Sequence, residues 1–146
     1  MDDVLLREAT DEDVPAIAEI ESLSFDQPWT REMILSEMRE PLSHFFVAVL
    51  GGAVIGYYGF IHILDELHIL NVAVSPDFRG RGVGTLLMKD LTERAYSLSA
   101  RAVTLEVRQS NVAAIRLYER VGFVLSGVRP RYYTDKENAL IYWLEL

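Results

Sequence analysis

The chain predicts a mixed α/β sheet with helices on both faces, in the order β-α-α-β-β-β-α-β-α-β-β. Three observations carry that prediction. Between His44 and Val74 three apolar runs of strand length follow one another with no helical pattern among them, which a repeating β-α-β chain does not do. Two stretches with helical spacing precede that block. After it, helices and strands alternate before the chain ends on a pair of strands.

Each element has its own signal. Val4 to Glu8 reads as the first strand. Thr10 can cap a helix beginning at Asp11, with Asp13 at the capping-box position and Pro15 in the first turn. Val14, Ile17 and Ile20 then share its inner face. A second helix follows Pro28-Trp29-Thr30, capped by Thr30, with Met33, Ile34 and Met38 turned inward. His44–Leu50 and Ala53–Leu64, on either side of Gly51-Gly52, read as a hairpin. His68–Val74 is the next strand, and an amphipathic helix runs from Thr85 to Ala100. Ala102 to Arg108 returns to strand, and Asn111 to Val121 to helix, closed by Gly122. Phe123 to Leu146 reads as two strands joined by a polar turn.

Composition sets limits on function. The 146 residues contain no repeat, low-complexity tract or linker, so one domain over 1–146 is expected. No apolar run reaches bilayer length, and the acidic N-terminus has no signal-peptide pattern. With no cysteine, disulfides, thiolate metal sites and a cysteine nucleophile are excluded. His44, His62 and His68 show no metal-ligand spacing. A formal charge of −8 argues against nucleic-acid binding, which rests on cationic contacts to phosphates. It favours cationic partners, such as amines or basic protein tails. The expectation is a cytoplasmic, metal-free protein with neither membrane nor nucleic acid as a partner.

The densest signal lies where His68–Val74 runs through Ser75-Pro76 into Arg79-Gly80-Arg81-Gly82-Val83-Gly84 and a helix at Thr85. Glycines let backbone N–H groups approach a ligand, and a helix start concentrates unpaired donors at its positive end. Such a junction cradles an anion, and a pyrophosphate matches it. A Walker loop is excluded because no lysine follows Gly84, and a dinucleotide fingerprint because the spacing is G-x-G-x-G. What remains is R-x-x-G-x-G, formed by Arg79, Gly82 and Gly84. A plain glycine-rich turn from strand to helix is the simpler alternative.

Thr104–Phe123 reads L-E-V-R-x-S-N-x-A-A-I-x-L-Y-E-x-x-G-F at every fixed position. With the R-x-x-G-x-G loop, Phe25–Thr30 and the final Arg129–Leu146 segment, it forms an ordered set of four motifs. The chain thereby resembles the GNAT N-acetyltransferases, and within them the bacterial ribosomal-protein alanine N-acetyltransferases (the RimI group), nearly end to end. Members often carry a cysteine before Phe25, where this chain has Ser24.

The resemblance implies a GNAT fold with a splayed slot for acetyl-CoA. It places the pyrophosphate on Arg79, Gly80, Arg81, Gly82, Val83, Gly84 and Thr85, and pantetheine along Val72, Ala73 and Val74 as an added strand. Asn111, at the start of its helix, reads by position as a helix cap; the resemblance has its side chain reach the pantetheine arm as well, and the two roles coexist only if Ser110 does the capping. Glu106 shares a strand face with Thr104 and Arg108, and a salt bridge to Arg108 or Arg116, or simple edge exposure, accounts for it by pattern alone. The resemblance makes it the general base, for which desolvation would add strength. Tyr118, which pattern alone makes a core tyrosine, becomes the acid for the departing thiolate. His68 stands four residues before Val72 as a candidate second proton carrier or an ordinary strand histidine.

Phe25, Trp29, Tyr132 and Tyr133 lie in the two segments that flank the peptide groove in similar enzymes, although Trp29 could equally staple helix to sheet. At pH 7, neutralising an α-amine costs about 1.2 kcal/mol and a lysine roughly 4.6, so one modest base serves N-termini more readily. The expected activity is acetyl transfer from acetyl-CoA to the N-terminal alanine of a small-subunit ribosomal protein. An acetyltransferase of internal lysines or small amines, and a non-catalytic acyl-CoA-binding module, are the alternatives.

Overall fold

A computed structural model, describing residues 3–146, contains one seven-stranded sheet. Its elements are β1 (Leu5–Glu8), α1 (Val14–Ser24), α2 (Arg31–Met38), β2 (Ser43–Leu50), β3 (Ala53–Ile63), β4 (Glu66–Val74), α3 (Val83–Ser97), β5 (Ala102–Arg108), α4 (Val112–Arg120), β6 (Val124–Arg129) and β7 (Ala139–Glu145). The order matches the sequence reading. Strands lie side by side as β1-β2-β3-β4-β5-β7-β6. β4 and β5 pair in parallel, and the other neighbours are antiparallel.

Both faces of the sheet are covered, which explains the near-continuous apolar runs in its central strands. Phe45, Val47, Tyr57 and Ala73 face α1 and α2, packing with Val14, Ile17, Ile20 and Ile34. Phe46, Ala48, Tyr58 and Phe60 face the other way, with Leu87, Met88 and Leu91 of α3 and Tyr118 of α4. Alternation along β2 and β3 therefore feeds two cores from one ribbon.

Local chemistry sets the helix starts. Asp13 accepts from the Thr10 N–H at 2.8 Å and from both Arg7 guanidinium nitrogens at 2.7 and 2.9 Å. That bidentate pair holds the Asp13 carboxyl below its usual range. A short 3-10 turn, Asp11–Asp13, precedes α1, so the α-helix proper starts at Val14. Thr30 Oγ1 accepts the Met33 N–H at 3.2 Å and caps α2 as expected.

Some boundaries and one burial expectation need correction. β1 begins at Leu5, not Val4, and α3 at Val83, two residues before Thr85. The early start puts Gly84 inside the first turn, where a Cβ would come within 3.2 Å of Leu117 Cδ2. Met33 is 49% exposed, because a two-turn helix buries one stripe, and Ile34 with Leu35 and Met38 occupies it.

Candidate active site

The site exists because β4 and β5 part company. They pair only at Glu66 with Ala102, Leu67 with Val103 and His68 with Thr104. Against β3, Phe60 pairs Ile69 while Gly59 pairs Asn71, leaving Leu70 as the extra residue of a bulge. A bulge bends its strand, and β4 leaves β5 one residue before it. The gap opens into two adjoining cavities of about 470 and 460 Å³. Ser24, Phe25, Val72, Asn111, Ala114 and Tyr118 line both, and so form the passage between them.

The second cavity has the character of an anion and cofactor slot. Val72, Ala73, Val74, Arg79, Gly80, Gly82, Val83, Gly84 and Asn111 line it. Gly80 and Gly82 take φ of 75° and 84°, the left-handed region that favours glycine. Gly82 precedes α3 without any side-chain cap, leaving the first-turn N–H groups for a ligand. Arg79 donates to Val74 O at 3.2 Å and to Ser24 Oγ at 2.9 Å, at the edge of the slot. These residues fit an extended pyrophosphate-bearing cofactor. Arg81 and Thr85 do not line the slot. Arg81 lies over the Phe78 ring instead, at 5.4 Å.

Asn111 is the helix cap that its position alone suggested, and the condition that Ser110 do the capping is not met. Its Oδ1 accepts the Ala114 N–H at 3.2 Å, so Asn111 itself caps α4 and Ser110 does not. Its amide nitrogen is the end left to address a ligand, and a single asparagine can do both.

Tyr118 is buried in the wall common to both cavities, edge-tilted on Phe123 at 5.7 Å. Its hydroxyl donates to no group among the described residues. Burial, with a smaller effect from Tyr133, pushes that hydroxyl well above the usual tyrosine range. Glu106 lines the first cavity only. Its side chain is 31% exposed and stands 3.5 Å from Arg129, so the deep desolvation expected of it is not found. Arg129 on β6, rather than Arg108 or Arg116, is its ionic partner. His68 lines neither cavity and instead faces Glu66 at 3.4 Å.

Phe25, Trp29 and Tyr133 line the first cavity, whereas Tyr132 is 53% exposed and packs edge-on against Tyr133 at 5.1 Å. Trp29 also leans on Phe45 at 6.5 Å, the staple that pattern alone allowed. Thr134 donates to Gln27 Oε1 at 3.0 Å, joining the α1–α2 and β6–β7 connections beside the cavity.

The residue that sequence reading missed is Glu21. Almost wholly buried on α1, it also lines the first cavity. It accepts from the Trp29 N–H at 3.0 Å, from Asn71 Nδ2 at 3.2 Å and from the Tyr57 hydroxyl. Burial holds its carboxyl above the usual range, against the pull of the Tyr57 hydroxyl and the Trp29 N–H. The signal was available. Glu21 lies four residues after Ile17 and seven after Val14, on the buried stripe. Among the described residues no cluster of His, Asp and Glu could hold a metal ion, and no helix is long and apolar enough to cross a membrane.

Residues 14–123 match the model of the acetyltransferase (GNAT) family. A Bacillus subtilis protein provisionally named a ribosomal protein bS18-alanine N-acetyltransferase is 38% identical over 137 residues, 92% of this chain and 91% of its own length. The crystal structure of the ribosomal-protein-S18-alanine N-acetyltransferase from Escherichia coli superposes with a TM-score of 0.89 at 31% identity, covering 97% of this chain and 93% of that one. Ard1 from Thermoplasma volcanium gives 0.92 at 32% identity, with 99% and 98% covered.

Proposed function

The chain belongs to the GNAT acetyltransferase family, and from that premise we propose that it acetylates the α-amine of a protein N-terminus, an N-terminal alanine of a ribosomal protein, using acetyl-CoA. The observation that carries this reading is the junction of the two cavities. A glycine-rich anion cradle lies on one side, the Glu106 carboxylate on the other, and the Tyr118 hydroxyl in the wall between. Acetyl-CoA supplies an activated thioester; this chain's residues hold it and manage two protons.

Glu106 takes the proton that the amine loses as its nitrogen bonds to the acetyl carbon, directly or through a water. Tyr118 gives its proton to the departing thiolate. A phenol whose affinity for its proton is raised by burial remains an acid-form donor throughout the neutral range. Thr104, on the same face of β5 as Glu106, is tied to Tyr142 O at 3.0 Å and takes no part.

An N-terminus suits the site better than an internal lysine. The Gln27–Thr134 bond joins the two connections flanking the first cavity, and a chain end needs room on one side only. The proposed setting is the cytoplasm.

The test pairs two peptides, one with a free N-terminal alanine and one with a blocked N-terminus and an internal lysine. Each is assayed for acetyl-CoA turnover with wild type and Glu106→Gln. Turnover of the alanine peptide alone, sharply lower in Glu106→Gln, is expected. Preference for lysine would reassign the substrate, and tight CoA binding without turnover of either would favour a binding module.

A further inference from the structure

Arg108 ends β5 just beyond Glu106, and it is committed to the loop between β6 and β7. Its Nη1 lies 3.0 and 2.8 Å from the two carboxylate oxygens of Asp135 and 3.0 Å from Glu137 Oε1. Its guanidinium carbon stands 4.0 Å from the centre of the Tyr133 ring. The other oxygen of Glu137 accepts the Ser110 N–H at 2.8 Å, immediately before α4. Beside it, the Gln109 N–H donates to Asn138 O at 3.2 Å, and Asn138 Nδ2 to Gln109 Oε1 at 3.1 Å.

The loop needs such an anchor. Arg131 and Lys136 both take left-handed φ values, 55° and 69°, without being glycine, and backbone in that region persists only where tertiary contacts impose it. Asp135 and Glu137 also bring two like charges against the same cation. The Glu137 N–H and Arg108 hold Asp135 below the usual carboxylate range, and Ser110 with Arg108 does the same for Glu137. Without the guanidinium these acids would repel one another and push the loop outward. A lysine could supply the charge but not the flat face that lies over the Tyr133 ring.

We propose that Arg108 is a positioning residue for the peptide side of the site: gripping Asp135, Glu137 and the Tyr133 ring together, it fixes residues 130–138 against the first cavity and, through Glu137, keys them to the start of α4. The inference rests on reading that cavity as the peptide groove. Arg108 borders the first cavity, but its hydrogen bonds all go to Asp135 and Glu137 of the loop. It sets where Tyr133 meets the substrate, so its removal acts on peptide binding and spares the cofactor slot.

The test compares wild type, Arg108→Met, Arg108→Lys and the triple variant Arg108→Met/Asp135→Asn/Glu137→Gln. In Arg108→Met, KM for the alanine peptide should rise roughly tenfold, the scale of one charge-assisted hydrogen bond, while KM for acetyl-CoA stays within about twofold. Arg108→Lys should recover part of the loss. The triple variant should recover more, because it also removes the opposed charges.

Limited trypsin digestion gives a second reading that needs no substrate. Cleavage after Arg131 and Lys136 should accelerate in Arg108→Met and slow again in the triple variant. Unchanged cleavage there overturns the clamp. Faster cleavage with an unchanged peptide KM overturns the link to the groove, and a parallel rise in both KM values with cleavage throughout the chain shows a general folding role instead. If wild type ignores the alanine peptide, the substrate reading fails, and the digestion still decides the clamp.

Discussion

Tyr118→Phe separates the proposed acid role from stability, because it takes away a hydroxyl and leaves the ring in place. The substitution removes one oxygen and keeps the ring that packs on Phe123 at 5.7 Å. Because the hydroxyl has no partner among the described residues, no hydrogen bond is lost. Tyr118 lines both cavities, and the buried side-chain polar atom without a partner among the described residues is His62 Nε2, not this hydroxyl. Removing the hydroxyl should therefore leave stability nearly unchanged, a shift in Tm of no more than a few degrees at roughly 3 °C per kcal/mol for a chain of this size. Activity should fall. A lost general acid lowers kcat by roughly 10²–10⁴, which is about 2.7–5.4 kcal/mol at 1.36 per decade.

The assay is kcat at saturating acetyl-CoA and peptide, beside a thermal melt of the same preparations. The pH profile adds an independent check. In the proposed acid role the proton-bearing form is the active one, and burial raises its affinity for that proton, so Tyr118 should cause no loss of rate through the ordinary tyrosine range near pH 10. A kcat within about threefold of wild type would refute the acid role. A clear fall in Tm would refute the claim that the hydroxyl holds nothing.

Glu106→Gln should lower kcat/KM for the peptide by roughly 10²-fold or more, with CoA affinity by calorimetry unchanged and stability barely affected, since its 3.5 Å pairing with Arg129 is solvent-exposed. Gly82→Ala forces a Cβ into a φ of 84°. It should cost about 1–2 kcal/mol in denaturant unfolding and raise KM for acetyl-CoA more than KM for peptide, and equal effects on both would count against the cradle. For Glu21 the folded state holds the carboxyl proton more tightly than the unfolded chain does. Its contribution to stability is then greatest below the ordinary glutamate range and is lost as pH rises through the raised folded value. Wild type should thus lose ground to Glu21→Gln as pH rises above the ordinary glutamate range; a constant difference between their denaturant midpoints would overturn this.

Much of the architecture was legible because it is local. The Thr30 cap, the Gly51-Gly52 turn and the order of strands and helices depend on neighbours in sequence, and each lies where pattern put it. Met33 went astray because helical spacing offers more apolar positions than a two-turn helix can bury. Asn111 was legible as a cap, but Ser110 is an equally good one by type, and only the backbone at the helix start chooses between them. Glu21 escaped notice because a single carboxylate on an apolar stripe looks like a boundary residue. Its partners Tyr57 and Asn71 lie 36 and 50 positions away.

By itself, the sequence carried the family through the spacing of its motifs, and through that resemblance it pointed to the glycine-rich loop and to Glu106 and Tyr118 as the two proton-handling candidates, since motifs are written in neighbouring positions along the chain. Tertiary structure alone decided where β4 leaves β5 and which residues line the passage between the two cavities. It also decided which charges neutralise which. Glu106 faces Arg129 from β6, while Arg108, two residues from it, turns to Asp135 and Glu137. Ion pairs and cavities are set by distances between segments remote in sequence, and those distances exist only once strand register and the bulge at Leu70 have fixed them.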